Sequence, residues 1–300
     1  MNIKNLIKRI PYIVDINRQF ITWRKSRSKL KLLEQLKTSR HPKAKGLREA
    51  LLSLARRMPQ SDQAWIDRIE TERERLLNRN EPLDDGSLSE AGLYDKGVSV
   101  GRACEVSKGP IPARLLFLLA RATMPLNVIE LGTNVGISSA YVGAGMKVNG
   151  QSGRITTLDA SPYRQRLAKE IHSNIGIDNI SYVEGLFSDT LCQTLADLGS
   201  IDLAFIDGHH QYQPTLEYFE DILKHSTPET IFVFDDIRWS DGMKKAWAKI
   251  QSDDRLGIVL DLESVGICTS QPQGDSQRFV SEPTNFFLCA RQWSLTILNP

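Results

Sequence analysis

The stretch NVIELGTNVGISSAYVGAGM, residues 127–146, decides how the chain is read. Asn127–Leu131 is a short apolar run with an acid at Glu130, and it stops at Gly132. Gly136 follows, and Ile137–Met146 continues at helical spacing. A buried strand, a glycine turn and the opening of a helix bring backbone N–H groups and a helix N-terminus to one point, which suits an anionic or polar ligand head. A dinucleotide fingerprint needs Gly-x-Gly-x-x-Gly, and Asn134 stands where its second glycine belongs. No Gly-Lys-Ser/Thr follows, which excludes a phosphate-binding P-loop. Glu130, at the strand's carboxyl end, suits a ligand that carries an amino group.

Downstream, strands and helices alternate as a doubly wound sheet requires. Strands are expected at Arg154–Asp159, Asn179–Gly185, Ile201–Asp207, Thr230–Asp236 and Leu256–Leu262, with a final one at Asn285–Arg291. Helices are expected at Pro162–Ile175, Ser188–Leu198, Pro214–Lys224 and Asp241–Ile250. The connection before the final strand is rich in Gly, Pro and Gln and shows no helix, so the last pair reads as antiparallel. Upstream, Ser61–Asn80 reads as one helix capped by Ser61, and Glu81–Gly109 as a loop. Prolines 110 and 112 then lead into a short helix ending at Arg121.

The chain has 300 residues, 41% hydrophobic and 25% charged, an ordinary globular composition. Its net charge of +2 hides an asymmetry: residues 1–60 hold sixteen Lys/Arg against Asp15, Glu34 and Glu49. Three regions follow: a basic helical extension at 1–60, a helix and loop at 61–108, and the main domain at 109–300. Within the extension, Ile3, Leu6, Ile7 and Ile10, then Leu30, Leu32, Leu33 and Leu36, recur at helical spacing. A solvated or docking arm is the first reading of this segment; an anionic membrane surface or a nucleic acid is the sharper one. Cys104, Cys192, Cys268 and Cys289 lie far apart and read as reduced thiols of a cytoplasmic protein. No apolar run reaches the ~18 residues of a spanning helix.

Acids end three strands in turn. Asp159 stands where an acid can take the ribose hydroxyls of an adenosine ligand. Asp207, in FIDGHHQY, and Asp235 and Asp236, in FVFDDIRW, should converge in the crevice at the carboxyl ends of neighbouring strands. Three such carboxylates repel unless protonated, paired or bound to a cation, and oxygen ligands suit Mg²⁺ or Ca²⁺. At the third strand's end, Gly185, Leu186 and Phe187 offer a turn and apolar side chains for an adenine ring. His210 is the histidine best placed to take a proton from a hydroxyl near neutral pH.

With these motifs assembled, residues 64–291 resemble class I S-adenosylmethionine-dependent methyltransferases, most closely a bacterial "methyltransferase 24" type related to the catechol and caffeoyl-coenzyme A O-methyltransferases. VIELGTNVGISSAYV, LAFIDGHHQYQPTLEYFEDIL and FVFDDIRWSDGMKKAW carry the likeness. It implies an α/β fold with a Rossmann-like seven-stranded sheet, the last strand antiparallel, behind a helical N-terminal extension. It also implies that Glu130, Gly132, Asn134 and Gly136 form the methionine-side loop and that Ser138 meets the cofactor's carboxylate. Asp159 then binds the ribose, with Gly185 and Leu186 at the adenine and Asp207 facing the cofactor. Asp207, Asp235 and Asp236 occupy the relatives' divalent-metal positions, with Asp236 in place of their Asn. His210 stands at the place of their catalytic lysine. The expected activity is O-methylation of a small-molecule hydroxyl, with Mg²⁺ or another divalent cation as a second cofactor. An RNA or other macromolecular acceptor recruited by the basic arm, a nicotinamide-dependent oxidoreductase, and a catalytically silent binding protein are the rivals. A homodimer and peripheral membrane attachment complete the expected partnerships.

Overall fold

The structure is a computed structural model that describes residues 27–90, 94, 96–150, 152–272 and 278–287. The early apolar positions from Ile3 to Ile10 therefore lie outside the described residues, as do Trp23 and Cys289. Helix α1 occupies residues 27–38, followed by α2 (Ala44–Leu54), α3 (Gln60–Leu77), α4 (Gly86–Glu90), α5 (Val100–Glu105) and α6 (Pro110–Thr123). From β1 (Asn127–Leu131) the chain alternates: α7 (Ile137–Lys147), β2 (Arg154–Asp159), α8 (Pro162–Ile175), β3 (Ile180–Glu184), α9 (Phe187–Leu198) and β4 (Ile201–Ile206). It continues through α10 (Tyr212–Lys224), β5 (Ser226–Phe234), α11 (Asp241–Gln251), β6 (Leu256–Asp261), β7 (Gly266–Ser270) and β8 (Phe279–Val280).

The strands form one sheet in the order β3-β2-β1-β4-β5-β7-β6-β8. The pairs from β3 through β5 are parallel, and β7 runs antiparallel to both β5 and β6. Side chains on a strand alternate between faces. Accordingly Val128, Leu203, Phe205, Ile231 and Val233 join one apolar cluster, and Ile129, Leu131, Ala204, Ile206, Phe232 and Phe234 join the other. The first cluster also takes in Leu32, Leu33 and Leu36 of α1 and Leu47 and Leu51 of α2. Residues 27–54 thus share the core of the sheet. Polar ties reinforce this: His41 Nε2 lies 2.8 Å from the Ser270 carbonyl, and Lys43 pairs with Glu229. Helix α7 is buried from Ile137 to Met146, which is why its sequence carries no polar face.

The sequence expectation differs from the structure in four places. The sheet has eight strands where seven were expected, and the last of them, β8, pairs parallel to β6. The antiparallel strand is Gly266–Ser270, which returns directly from β6 through the Leu262–Val265 turn. Asn285–Phe287 form no strand, and 288–291 lie outside the described residues. GICTS escaped notice because its Cys, Thr and Ser resemble a linker, although all five residues are buried. The loop expected over Glu81–Gly109 holds α4 and α5, and its ends are tied where Pro82 bridges Ser99. Helix α3 starts at Gln60 after Pro59, without a side-chain cap from Ser61. Among the described residues, no helix is long and apolar enough to cross a membrane.

Candidate functional site

The chain leaves β1 for β2 and β3 on one side and returns to β4 on the other, so the carboxyl ends of β1 and β4 border the switch point where such folds bind ligands. A cavity of about 790 Å³ opens there, within the range of small-molecule sites. Gly132, Asn134, Ser138, Asp159, Leu186 and Asp207 all line it. His210, Asp235 and Asp236 line it too, so most of the residues singled out from sequence converge on one space.

The glycine turn is shaped by backbone crowding. Gly132 has φ +103°, and a Cβ there would run into the Asp207 carbonyl at the end of β4. Gly136 has φ +84°, and its Cβ would lie 2.7 Å from that of Ala168 and 2.9 Å from His172 Nε2. Neither position admits a side chain. Asn134 also sits at positive φ, +45°, which asparagine tolerates because its short amide bonds locally. That amide donates to the Ala103 carbonyl (2.9 Å) and Ser107 Oγ (3.2 Å) and accepts from Arg164 (2.8 Å). Asn134 therefore bolts the segment after α5 to the glycine turn.

Glu130 lies beneath the cavity wall rather than in it, 2% exposed. Its Oε2 accepts from Thr157 Oγ1 at 2.5 Å, while Oε1 is buried without a hydrogen-bond partner. Burial pushes its pKa up to about 7, against the hydroxyls around it. Nearby, His172 holds the turn from behind: Nε2 lies 2.7 Å from the Gly136 carbonyl and Nδ1 2.6 Å from Tyr182 Oη. Burial pushes this imidazole down to about 4, so it is neutral at physiological pH.

Asp159 is more occupied than its sequence position suggested. Its carboxylate accepts from the Asn134 N–H (2.8 Å), the Ser161 N–H (2.9 Å) and Tyr94 Oη (2.7 Å). A carboxylate offers about four lone-pair sites, so one stays open and the tyrosine's is exchangeable. Burial raises the Asp159 pKa, and these donors oppose the rise. The Arg164 guanidinium stacks over the Tyr94 ring at 4.2 Å and forks onto buried Asp85 at 2.9 and 3.2 Å. Tyr94, Asp85 and Arg164 escaped sequence reasoning, since no motif surrounds them.

Across the cavity, Phe187 packs its ring against Gly208 and edge-on to Tyr218, at 5.5 Å. His209 and His210 both have positive φ. His209 Nδ1 is bonded to Tyr218 Oη at 2.5 Å, whereas His210 Nε2 stands 3.6 Å from Asp207 Oδ1 and faces the cavity. Both line the cavity, and of the two His210 is the one beside Asp207.

The acidic floor holds a residue that sequence reasoning missed. Lys108 Nζ is bonded to Asp235 Oδ1, with the two side chains 9% and 4% exposed. Burial works against the ammonium, but Asp235, Asp207 and Asp236 together outweigh it and hold its pKa above the ordinary value. Asp207 is pushed upward by burial and then by Asp235. Asp235 Oδ1 also accepts the Asp236 N–H at 2.7 Å. A divalent cation bound here would sit beside the ammonium. The ammonium would repel such an ion at close range and already holds Asp235 Oδ1. Among the described residues, no three His, Cys, Asp or Glu side chains are grouped to hold a metal. Asp207, Asp235 and Asp236 with Lys108 in place do not fit the expected metal.

Comparison with known proteins bears on residues 129–237 and on the fold. Residues 129–237 match the profile of a family described as "Methyltransferase domain". The "Putative O-methyltransferase" of Mycobacterium sp. (strain JLS) is 37% identical over 118 residues, 38% of this chain and 51% of the relative. The "Catechol O-methyltransferase" of Niastella koreensis is 29% identical over 153 residues, 50% of this chain and 62% of the relative. Among solved structures, the S-adenosylhomocysteine-bound methyltransferase PaMTH1 of Podospora anserina superposes with a TM-score of 0.52 at 18% identity, covering 72% of this chain and 89% of its own. That likeness shows the fold. Residues 129–237 thus match a methyltransferase domain, within a Rossmann-like α/β sheet. The chain spans about half the length of the mycobacterial relative.

Proposed function

We propose that the protein is an S-adenosylmethionine-dependent methyltransferase acting on a hydroxyl oxygen of a small molecule. The observation that carries this reading is the single cavity joining the glycine turn, Asp159, Leu186 and the Asp207–His210 loop. Its parts match the cofactor's parts in order. The Gly132–Ser138 turn brings the N-terminus of α7 to the amino-acid head. Asp159 keeps one lone-pair site for a ribose hydroxyl and gains another if Tyr94 swings away. Leu186 and Phe187 give the adenine an apolar wall. Glu130 acts from below the wall, its unpartnered Oε1 favouring positive charge overhead.

Bound S-adenosylmethionine supplies an electrophilic methyl group. The chain's own residues must then align an acceptor oxygen and remove its proton. His210, on the cavity wall with its Nε2 3.6 Å from Asp207 Oδ1, is the base. The oxygen acceptor follows the relatives named O-methyltransferases.

Calorimetric titration of the full chain with S-adenosylhomocysteine, with NADH as control, tests the reading. Micromolar binding of the first alone is expected, with loss of binding in Asp159→Ala and Gly132→Val. Preference for NADH, or unchanged affinity in both variants, sinks it.

A further inference from the structure

We propose that the Lys108 ammonium is the working cation of this site: held by Asp235 at the cavity floor, it draws in the acceptor hydroxyl and neutralises the charge developing on its oxygen, so that transfer needs no divalent metal. This assignment rests on the methyltransferase reading above.

Four observations support it. First, Lys108 is delivered by a fixed segment. The Asn134 amide grips Ala103 and Ser107 just before it, and Gly109 and Pro110 begin α6 just after it. Secondly, the ion pair is not sealed inside the protein. Lys108, Asp207, His210, Asp235 and Asp236 all line the same cavity, so a ligand oxygen can reach the ammonium. An ammonium has three donors, and Asp235 is the hydrogen-bond partner found for Lys108. Thirdly, Asp207 and Asp236 line the cavity together with Asp235 and Lys108, so the lysine stands among the strand-end carboxylates, while the base, His210, lies on the same cavity wall. Fourthly, the rim above is apolar: Val106 and Trp239 line the opening and are 65% and 74% exposed. A planar apolar body resting there would point its hydroxyl down toward Lys108 and His210.

The step balances without a further reactant. The acceptor O–H bond breaks and its proton passes to His210 Nε2. An oxygen lone pair forms the new C–O bond to the methyl carbon. The C–S bond breaks with its electron pair passing to sulfur, which turns the sulfonium into a neutral thioether. Lys108 neither gains nor loses a proton; its fixed positive charge lies closest to the oxygen when that oxygen is most negative.

The test uses the full chain saturated with S-adenosylhomocysteine. Mn²⁺ is titrated into wild type and Asp235→Asn, and free Mn²⁺ is followed by electron paramagnetic resonance. We expect no uptake that Asp235→Asn abolishes; stoichiometric uptake lost in Asp235→Asn overturns the proposal. In a second arm, 4-nitrophenol at pH 6 serves as the hydroxyl probe, because its phenolate absorbs near 400 nm. The wild-type complex should raise the phenolate fraction at least threefold, Lys108→Arg should retain the rise, and Lys108→Met should lose it. An equal rise in Lys108→Met, or no rise in the wild type, refutes the assignment. Calorimetry separates the two levels of the reading. S-adenosylhomocysteine affinity in Lys108→Met should stay within about twofold of wild type. If the wild-type protein itself fails to bind that ligand, the methyltransferase reading falls first; if binding holds and the Mn²⁺ or phenolate result goes the other way, only the role of Lys108 falls.

Discussion

Replacing Asn134 by glycine restores the residue that a dinucleotide fingerprint has at this point, and the structure predicts that the change is harmful. At φ +45° glycine relieves the left-handed backbone of about 1 kcal/mol. Glycine's greater freedom in the unfolded chain takes back most of that gain, roughly 0.5–1 kcal/mol. What remains is the loss of the amide's three bonds, to Ala103, Ser107 and Arg164. Two neutral bonds at about 1 kcal/mol each and one to a charged group at about 1.5 kcal/mol sum to roughly 3.5 kcal/mol. The net expectation is a destabilisation of about 3 kcal/mol, a fall in Tm on the order of 6–12 °C. Circular dichroism melting, paired with urea unfolding at pH 7.5, measures it. An Asn134→Gly protein within about 1 kcal/mol of wild type would falsify the view that this side chain fastens Lys108's segment to the glycine turn.

Further expectations concern the groups around that turn. Glu130 has its folded pKa raised to about 7, so its contribution is fully present below about 4.5 and is lost as pH rises through 7. Glu130→Gln should therefore gain stability relative to wild type between pH 5 and pH 8, by about 3 kcal/mol at most; an equal difference at both pH values in urea unfolding would contradict this. His172 has its folded pKa lowered to about 4, so its contribution is present above about 6.5 and is lost as pH falls toward 4. The stability of His172→Phe should accordingly depend less on pH than that of wild type in that window, as read from melting curves at pH 4.5 and 7. Tyr94→Phe should leave S-adenosylhomocysteine affinity within about twofold, because the ribose takes over the bond to Asp159; a tenfold loss by calorimetry would show that the tyrosine is itself needed. Asp85→Asn strips the buried Arg164 guanidinium of its charged partner. It should cost about 3–5 kcal/mol in urea unfolding, and a cost below 1 kcal/mol would refute a tight pair.

Much of the fold was legible because it is written locally. The strand NVIEL, the turn at Gly132 and most of the buried helix after it lie within twenty residues; β2 ends in an acid, and β4 and β5 are each followed by one. Local punctuation was lacking at β7, where buried GICTS has the composition of a linker, and at α4 and α5, which are too short to show a period. Site residues were legible where a strand end presents them: Asp159, Asp207, Asp235 and His210 line the cavity. Sequence alone did not show what each acid faces.

The acidic floor illustrates why. Three carboxylates at neighbouring strand ends demand a positive partner, and sequence reasoning could state that demand without naming its source. Asp235 meets Lys108 across 127 positions of chain, through a segment whose only local marks are a serine, a glycine and two prolines. That segment is placed by Asn134, the residue that departs from the dinucleotide pattern, so one substitution in the turn serves two ends. It leaves less room for a pyrophosphate, and its amide holds in place the segment that brings a lysine to the acids. Asp159 follows the same logic, its carboxylate being held by Tyr94 from the excursion between α4 and α5. In both cases the parallel sheet supplies the acid, and the helical segment ahead of β1 supplies the group that sets its charge or its hydrogen bonds. The chemistry of this site is therefore decided as much by residues 85–109 as by the strand ends.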